Sequence, residues 1–246
     1  MTEGQRFVIL SLPRTGSTYL VDYLDAVPGI RCLSEVFNRN TVLLRHHQPK
    51  DPTLADKAAR DADPIGFLAR LEPDVGACDW FGVKFFPGHG DRLLRYFCTS
   101  RQWKKIFLWR DNLLEQYISF LLASEKFGQE SWERVADEAT LTVPASALID
   151  DLHGIERSYI EIEEALAFAE REQVFTLEYD DLGNALVMEQ LLRFLGLPDV
   201  AIPALMQQGN SMPAFERGPR AAARIVNGDE VRRALRNTRY SRWLMD

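Results

Sequence analysis

The sequence predicts an α/β protein, a parallel central sheet flanked by helices. Three observations carry that expectation. Short apolar runs alternate with amphipathic segments along the chain. The first run, FVIL, passes through a glycine-containing turn straight into a helical pattern. The 246 residues are 46% hydrophobic and 26% charged, which is ordinary for a globular chain able to bury a core without disulfides or metal.

Phe7 to Leu12 reads as a strand because it is short, β-branched and apolar without polar alternation, the pattern of a strand buried on both faces. PRTGST follows. Tyr19, Leu20, Tyr23, Leu24 and Val27 then share one helical face, and Pro28-Gly29 ends that helix. A second strand is predicted over Ile30–Leu33. Residues 53–71 read as helix interrupted at Pro64, and residues 79–86 (DWFGVKFF) as a strand. Leu93, Leu94 and Phe97 mark the next helix, and Lys105–Trp109 the next strand. Leu113, Leu114, Tyr117, Ile118, Leu121 and Leu122 line the helix after it. Residues 144–172 form the longest helical pattern. Val174–Tyr179 is a further strand, 184–196 a helix, 209–219 a loop, and a last helix starts near Asp229 with Asn227 as its cap. No composition break, repeat or low-complexity tract marks a linker. The expectation is one domain over 1–246, with helical elaborations at 38–78 and 124–172.

Charge and cysteine usage narrow the function classes. Lys and Arg number 29 against 36 Asp and Glu, a formal net charge of −7. Nucleic acid is therefore not an expected partner, because a phosphate backbone demands a basic surface. The 3 cysteines (Cys32, Cys78 and Cys98) are odd in number and widely spaced, which reads as reduced thiols. No run approaches the length of a membrane span or of a signal peptide's apolar region. The expected location is cytoplasmic, with no integral membrane segment. The four histidines and three cysteines show no metal-ligand spacing, so no metal is expected.

In an open parallel sheet ligands collect at the carboxyl ends of strands. The first such end carries LPRTGST. Gly16 permits close backbone approach, and the N–H groups of Gly16, Ser17, Thr18 and Tyr19 would open toward an anion at a helix start. Ser17 and Thr18 can cap that helix, and Arg14 adds a fixed forked cation. A Walker A loop needs a lysine beside its second glycine and an earlier glycine four residues before, and neither is present. By itself the segment reads equally well as an ordinary strand-to-helix turn.

Further stretches favour the anion-binding reading. FVILSLPRTGSTYL resembles the 5′-phosphosulfate loop of sulfotransferases that use 3′-phosphoadenosine 5′-phosphosulfate (PAPS). IFLWRDNLLEQYIS resembles that family's 3′-phosphate motif, with Arg110 ending a strand and Ser119 on the next helix. LEYDDLGNALVMEQLLRFLGLP and, more weakly, RIVNGDEVRRAL are similar to later family segments. Together they cover a bit under half the chain, in the family's order. The resemblance is closest to bacterial carbohydrate-type, trehalose-sulfotransferase-like members. It implies a P-loop-kinase-like sulfotransferase fold and PAPS as donor substrate. It also implies cofactor contacts at Arg14, Thr15, Gly16, Ser17, Thr18, Tyr19, Arg110 and Ser119, and a carbohydrate or glycolipid acceptor. A nucleotide kinase, or a nucleotide-binding protein without turnover, is the alternative on the same sheet.

The same resemblance suggests the catalytic groups. Lys84, in VKFFP, lies where the family keeps a strand-end lysine, and Phe86 stands where many members have a catalytic histidine. Glu35, in CLSEVF, lies where trehalose-type members carry a glutamate base. Burial raises such a carboxylate's pKa and the site's cations lower it. The bland reading of Glu35 is the first residue of a helix over 36–44, favoured by its dipole. His89, in PGHGD, is the second candidate base. Arg110 has a bland reading as well, an ion pair with Asp111 or Glu115. Asp111, Asp180 and Asp181 read as helix caps, His46 and His47 as solvated or acceptor-contacting, and His153 as structural.

Overall fold

The computed structural model describes residues 5–44, 54–74, 78–127, 139–197 and 221–244. Five strands, β1 (Gln5–Leu10), β2 (Ile30–Leu33), β3 (Trp80–Phe85), β4 (Trp103–Trp109) and β5 (Val174–Glu178), form one sheet in the order β2-β3-β1-β4-β5. Every pairing is parallel; Leu10, for example, sits opposite Phe85 on one side and Phe107 on the other. All five carboxyl ends therefore lie along one edge. The chain leaves β1 toward β2 and later crosses to β4 on the opposite side, so β1 ends at the switch point where an open α/β sheet forms its crevice.

The described helices are α1 (Ser17–Asp25), α2 (Leu54–Ala62), α3 (Pro64–Asp74), α4 (Asp91–Thr99), α5 (Leu113–Phe127), α6 (Leu148–Leu166), α7 (Ala185–Phe194) and α8 (Gly228–Leu235). The sheet separates two apolar cores. Val8, Leu10, Val83, Phe85 and Phe107 face one core, with Leu114, Ile118, Leu152 and Ile162 from α5 and α6. Phe7, Ile9, Ile106 and Leu108 face the other, with Leu20, Leu24, Leu191 and Leu192 from α1 and α7. That two-sided burial is why the strand segments read as unbroken apolar runs. At Gly82 the sheet and Phe7 come so close that a Cβ would lie 2.0 Å from the ring. Among the described residues, no helix is long and apolar enough to cross a membrane.

Several expectations shift in detail. The first strand ends at Leu10, and Ser11 onward belongs to the loop that leads into α1. The expected interruption at Pro64 is present, with Pro64 as the first residue of α3, as the missing N–H allows. Residues 36–44 form turns, so Glu35 is not the first residue of a helix. The longest helix covers Leu148–Leu166, inside the predicted 144–172. Capping is done by neighbours of the expected residues: Asn112 Oδ1 accepts from Glu115 N–H, Glu178 from Asp180 N–H and Asn184 from Leu186 N–H. Asp111 instead pairs with Arg242 at 2.8 Å. Asn227 stands at the start of α8, but its side chain bridges the N–H and carbonyl of Val143. The three cysteines are free thiols, with Cys32 and Cys98 buried. The 209–219 loop, His46, His47 and Trp132 lie outside the described residues.

Candidate active site

The expected residues lie at or just beyond the carboxyl ends of four strands. Arg14 to Tyr19 follow β1, Glu35 follows β2, Lys84 is the penultimate residue of β3 with His89 beyond it, and Arg110 follows β4. Ser119 comes from the second turn of α5.

The loop after β1 is unusual in its backbone. Arg14 has φ +66° and Gly16 has φ +76°, both left-handed. Glycine takes that conformation freely, whereas for arginine it costs about 1–2 kcal/mol. Gly16 is the N-cap of α1 and makes no side-chain cap hydrogen bond, so Ser17 and Thr18 are its first helical residues and not its caps. A Cβ on Gly16 would lie 2.4 Å from Leu182 Cδ1, another reason for glycine here. Thr15 is fully buried and its hydroxyl donates to Leu12 O at 2.8 Å, leaving its backbone as its contribution to a ligand. Tyr19 packs toward Tyr23, with ring centroids 6.2 Å apart, and burial raises the pKa of its phenol.

A cleft of about 480 Å³ opens beside this loop. Arg14, Ser17, Thr18, Glu35, Lys84 and His89 all line it. At its floor Lys84 Nζ lies 2.9 Å from Glu35 Oε1, with the two side chains 1% and 8% exposed. Asn38 Nδ2 donates to Glu35 Oε2 at 3.0 Å, so the carboxylate is held from both sides. Burial lowers the pKa of the Lys84 ammonium while Glu35 pulls it back up. His89 Nδ1 accepts the N–H of Phe86 at 3.3 Å, which places the ring hydrogen on Nε2. Burial lowers the His89 pKa to about 4, so the ring is neutral at physiological pH.

Arg110 is joined to the same loop. Its Nη1 donates to Arg14 O at 3.3 Å, and its guanidinium lies 4.0 Å from the centre of the Tyr179 ring. Arg14 Nε donates to Ser119 Oγ at 2.9 Å. Arg110 and Ser119 thus both contact Arg14, one at its carbonyl and the other at its guanidinium. Arg110 also lines a second cavity of about 370 Å³ beside α6 and the C-terminal turn. The ion pair that the sequence offered as its bland role is present too, with Nη2 2.5 Å from Glu115 Oε2. The pKa of Arg14 is lowered by burial first, then by the like charges of Arg110 and Arg224, while Tyr179 opposes. A pair of neighbouring guanidiniums in a partly buried site favours an anion between them.

Sequence reasoning assigned no site role to Asn38, Gln116, Tyr159 or Tyr179. Gln116 and Tyr179 lie inside motifs it quoted, and Asn38 lies three residues after Glu35. Tyr159 meets the site only through tertiary contacts. Among the described residues there is no group of three metal-ligating side chains.

The chain is similar in fold to the sulfotransferase domain from the curacin biosynthetic pathway, at 15% identity and a TM-score of 0.51, covering 94% of this chain and 90% of that one. It is likewise similar to a sulfotransferase from Alicyclobacillus acidocaldarius, at 14% identity and a TM-score of 0.54, covering 99% of both chains. At such identities the likeness is one of fold. No protein-family model matches the chain, and no curated protein matches it.

Proposed function

We propose that this chain is a sulfotransferase that moves a sulfuryl group from PAPS to a hydroxyl of an uncharged carbohydrate or glycolipid acceptor. The observation that carries this reading is the meeting, on one cleft, of an anion-type loop with a buried Lys84–Glu35 pair. The fold shared with two sulfotransferase structures supports it.

The roles follow from position and charge. The start of α1, with Arg14, Ser17 and Thr18, receives the 5′-phosphosulfate end, since the first N–H groups of a helix lack intrahelical acceptors. Arg110 and Ser119 receive the 3′-phosphate. Sulfuryl transfer resembles phosphoryl transfer in its loose transition state, where charge grows on the leaving oxygen. Lys84 and Arg14 supply positive charge there. Glu35 takes the acceptor's hydroxyl proton; each carboxylate oxygen has two lone pairs, so the bonds to Lys84 and Asn38 leave capacity for it. His89 serves as a donor that orients the acceptor, because its Nδ1 lone pair is already engaged by Phe86 N–H. The rest of the cleft suits a polyol: Phe86 and Phe120 offer ring surface to C–H groups, Asn38, Asn40, Ser124 and Ser158 bring uncharged polar groups, and Arg39, also in the lining, is tied to Gly88 O at 2.9 Å.

Calorimetric titration with 3′-phosphoadenosine 5′-phosphate (PAP) tests the reading. We expect a Kd on the order of micromolar, ADP binding far more weakly, and a loss of about tenfold or more in Arg14→Ala and Arg110→Ala. No binding, or equal affinity for ADP, overturns it. Labelled-sulfate transfer to sugars, glycolipids and small alcohols then finds the acceptor.

A further inference from the structure

Three consecutive carbonyls in the loop after β1 are each held from inside the protein. Leu12 O accepts from the Thr15 hydroxyl at 2.8 Å, Pro13 O from Gln116 Nε2 at 2.8 Å, and Arg14 O from Arg110 Nη1 at 3.3 Å. A trans peptide group carries its C=O and N–H on opposite sides. Holding the carbonyls of Pro13 and Arg14 therefore turns the Arg14 N–H away from Gln116 on α5 and the Thr15 N–H away from Arg110. This pinning also supplies a local reason why Arg14 tolerates its left-handed backbone, a conformation that persists only when surrounding contacts over-determine it.

The hold on Pro13 has a second layer. Gln116 is 3% exposed and Tyr159 is 7% exposed. The Tyr159 hydroxyl donates to Gln116 Oε1 at 2.8 Å and accepts the Arg110 N–H at 3.1 Å. Both ends of the Gln116 amide are thereby assigned, with oxygen toward Tyr159 and nitrogen toward Pro13. Burial raises the Tyr159 phenol's pKa well above its ordinary value, so the hydroxyl keeps its proton at any working pH. The relay runs from the end of β4, through α6 and α5, to the loop after β1. It joins the two basic motifs through Gln116, inside the second motif, and Tyr159, outside both.

We propose that Gln116 and Tyr159 are positioning residues for the loop after β1: Gln116, oriented by Tyr159, holds the Pro13 carbonyl inward, and so helps hold Arg14 and its N–H group in the shape that accepts an anion. The ligand arm of the test rests on the function proposed above; the structural arm does not. The variants are Gln116→Met, which keeps shape without the amide, and Tyr159→Phe. Ile118→Val, a buried change in the same helix away from the loop, is the control.

In 15N-labelled protein, the Arg14, Thr15 and Gly16 amide resonances are expected to move in both relay variants and to stay in place in Ile118→Val. Unmoved loop amides overturn the relay, whatever the wild type binds. If Tyr159→Phe fails to fold, Gln116→Met decides. PAP affinity is expected to fall about tenfold in Gln116→Met and about fivefold in Tyr159→Phe. The double variant should lose no more than about twofold beyond Gln116→Met, because the two act through one chain of bonds. Unchanged affinity in both variants, or fully additive losses, also overturns the relay while leaving the sulfotransferase reading intact. Loop amides that move in a protein with no affinity for PAP sink the sulfotransferase reading and leave the relay standing.

Discussion

Glu35 and Lys84 come from different strands and are 49 positions apart in the chain, yet their charges meet at 2.9 Å under the cleft. Such a buried pair is weak evidence for stability, since desolvation offsets much of the attraction. Its placement on one cleft with Arg14 and Ser17 is the ground for the proton-transfer role proposed above. Glu35→Gln should reduce transfer at least about a hundredfold, the usual contribution of a positioned general base, while PAP affinity by calorimetry stays within about twofold. Near-normal turnover would remove Glu35 from the proton-transfer role. Glu115 offers a second check. It holds Arg110 Nη2 at 2.5 Å, so a 3′-phosphate bound as proposed would share that guanidinium with a carboxylate. Glu115→Gln removes a like charge from beside the phosphate and should tighten PAP binding about threefold, a modest surface-type electrostatic gain. Weaker binding would mean that Glu115 acts mainly to aim Arg110. Of these residues, Glu35, Lys84 and Arg110 were legible as candidates through the family resemblance, with Lys84 and Arg110 also marked as cations at strand ends. Gln116 and Tyr159 were not, because an uncharged residue inside an amphipathic helix looks like any other.

The decisive element is the join between β1 and α1. Its length, its glycine and the following helical face were readable in LPRTGST and the residues after it. The left-handed backbone at Arg14 was not, because a non-glycine residue takes that shape only under contacts from elsewhere. Gly16 is constrained twice, by φ +76° and by Leu182 and Tyr179 against its face. Gly16→Ala should lower stability by roughly 2 kcal/mol in urea unfolding and weaken PAP binding at the same time. An unchanged unfolding midpoint would show that the loop relaxes without cost. Helix starts were less well predicted than helices. Asn112, Glu178 and Asn184 cap where neighbouring aspartates were expected, since adjacent polar residues compete for the same N–H groups and backbone direction selects the winner.

For the molecule as a whole, buried titratable groups tie the fold to pH. His89 titrates near 6.5 when unfolded and near 4 in the fold because of burial. Between those values the unfolded chain binds the extra proton, so this group makes stability fall as pH drops from about 6.5 to about 4. The full effect is roughly 3 kcal/mol. Urea unfolding of the wild type and of His89→Gln across that range should show a shallower acid loss in the variant. Parallel slopes would mean that His89 is not buried in solution.

Strand positions, their order along the chain and the parallel α/β class came from local chemistry: apolar runs too short and too uniform for anything but a doubly covered sheet. A strand end running into a glycine turn marked a candidate anion site only together with the family resemblance. Spatial order is another matter. That β1 lies between β3 and β4, that Arg14 reaches Ser119, and that Lys84 meets Glu35 all depend on contacts between segments far apart in the chain. No local pattern encodes such pairings; the packing of both faces of the sheet selects them.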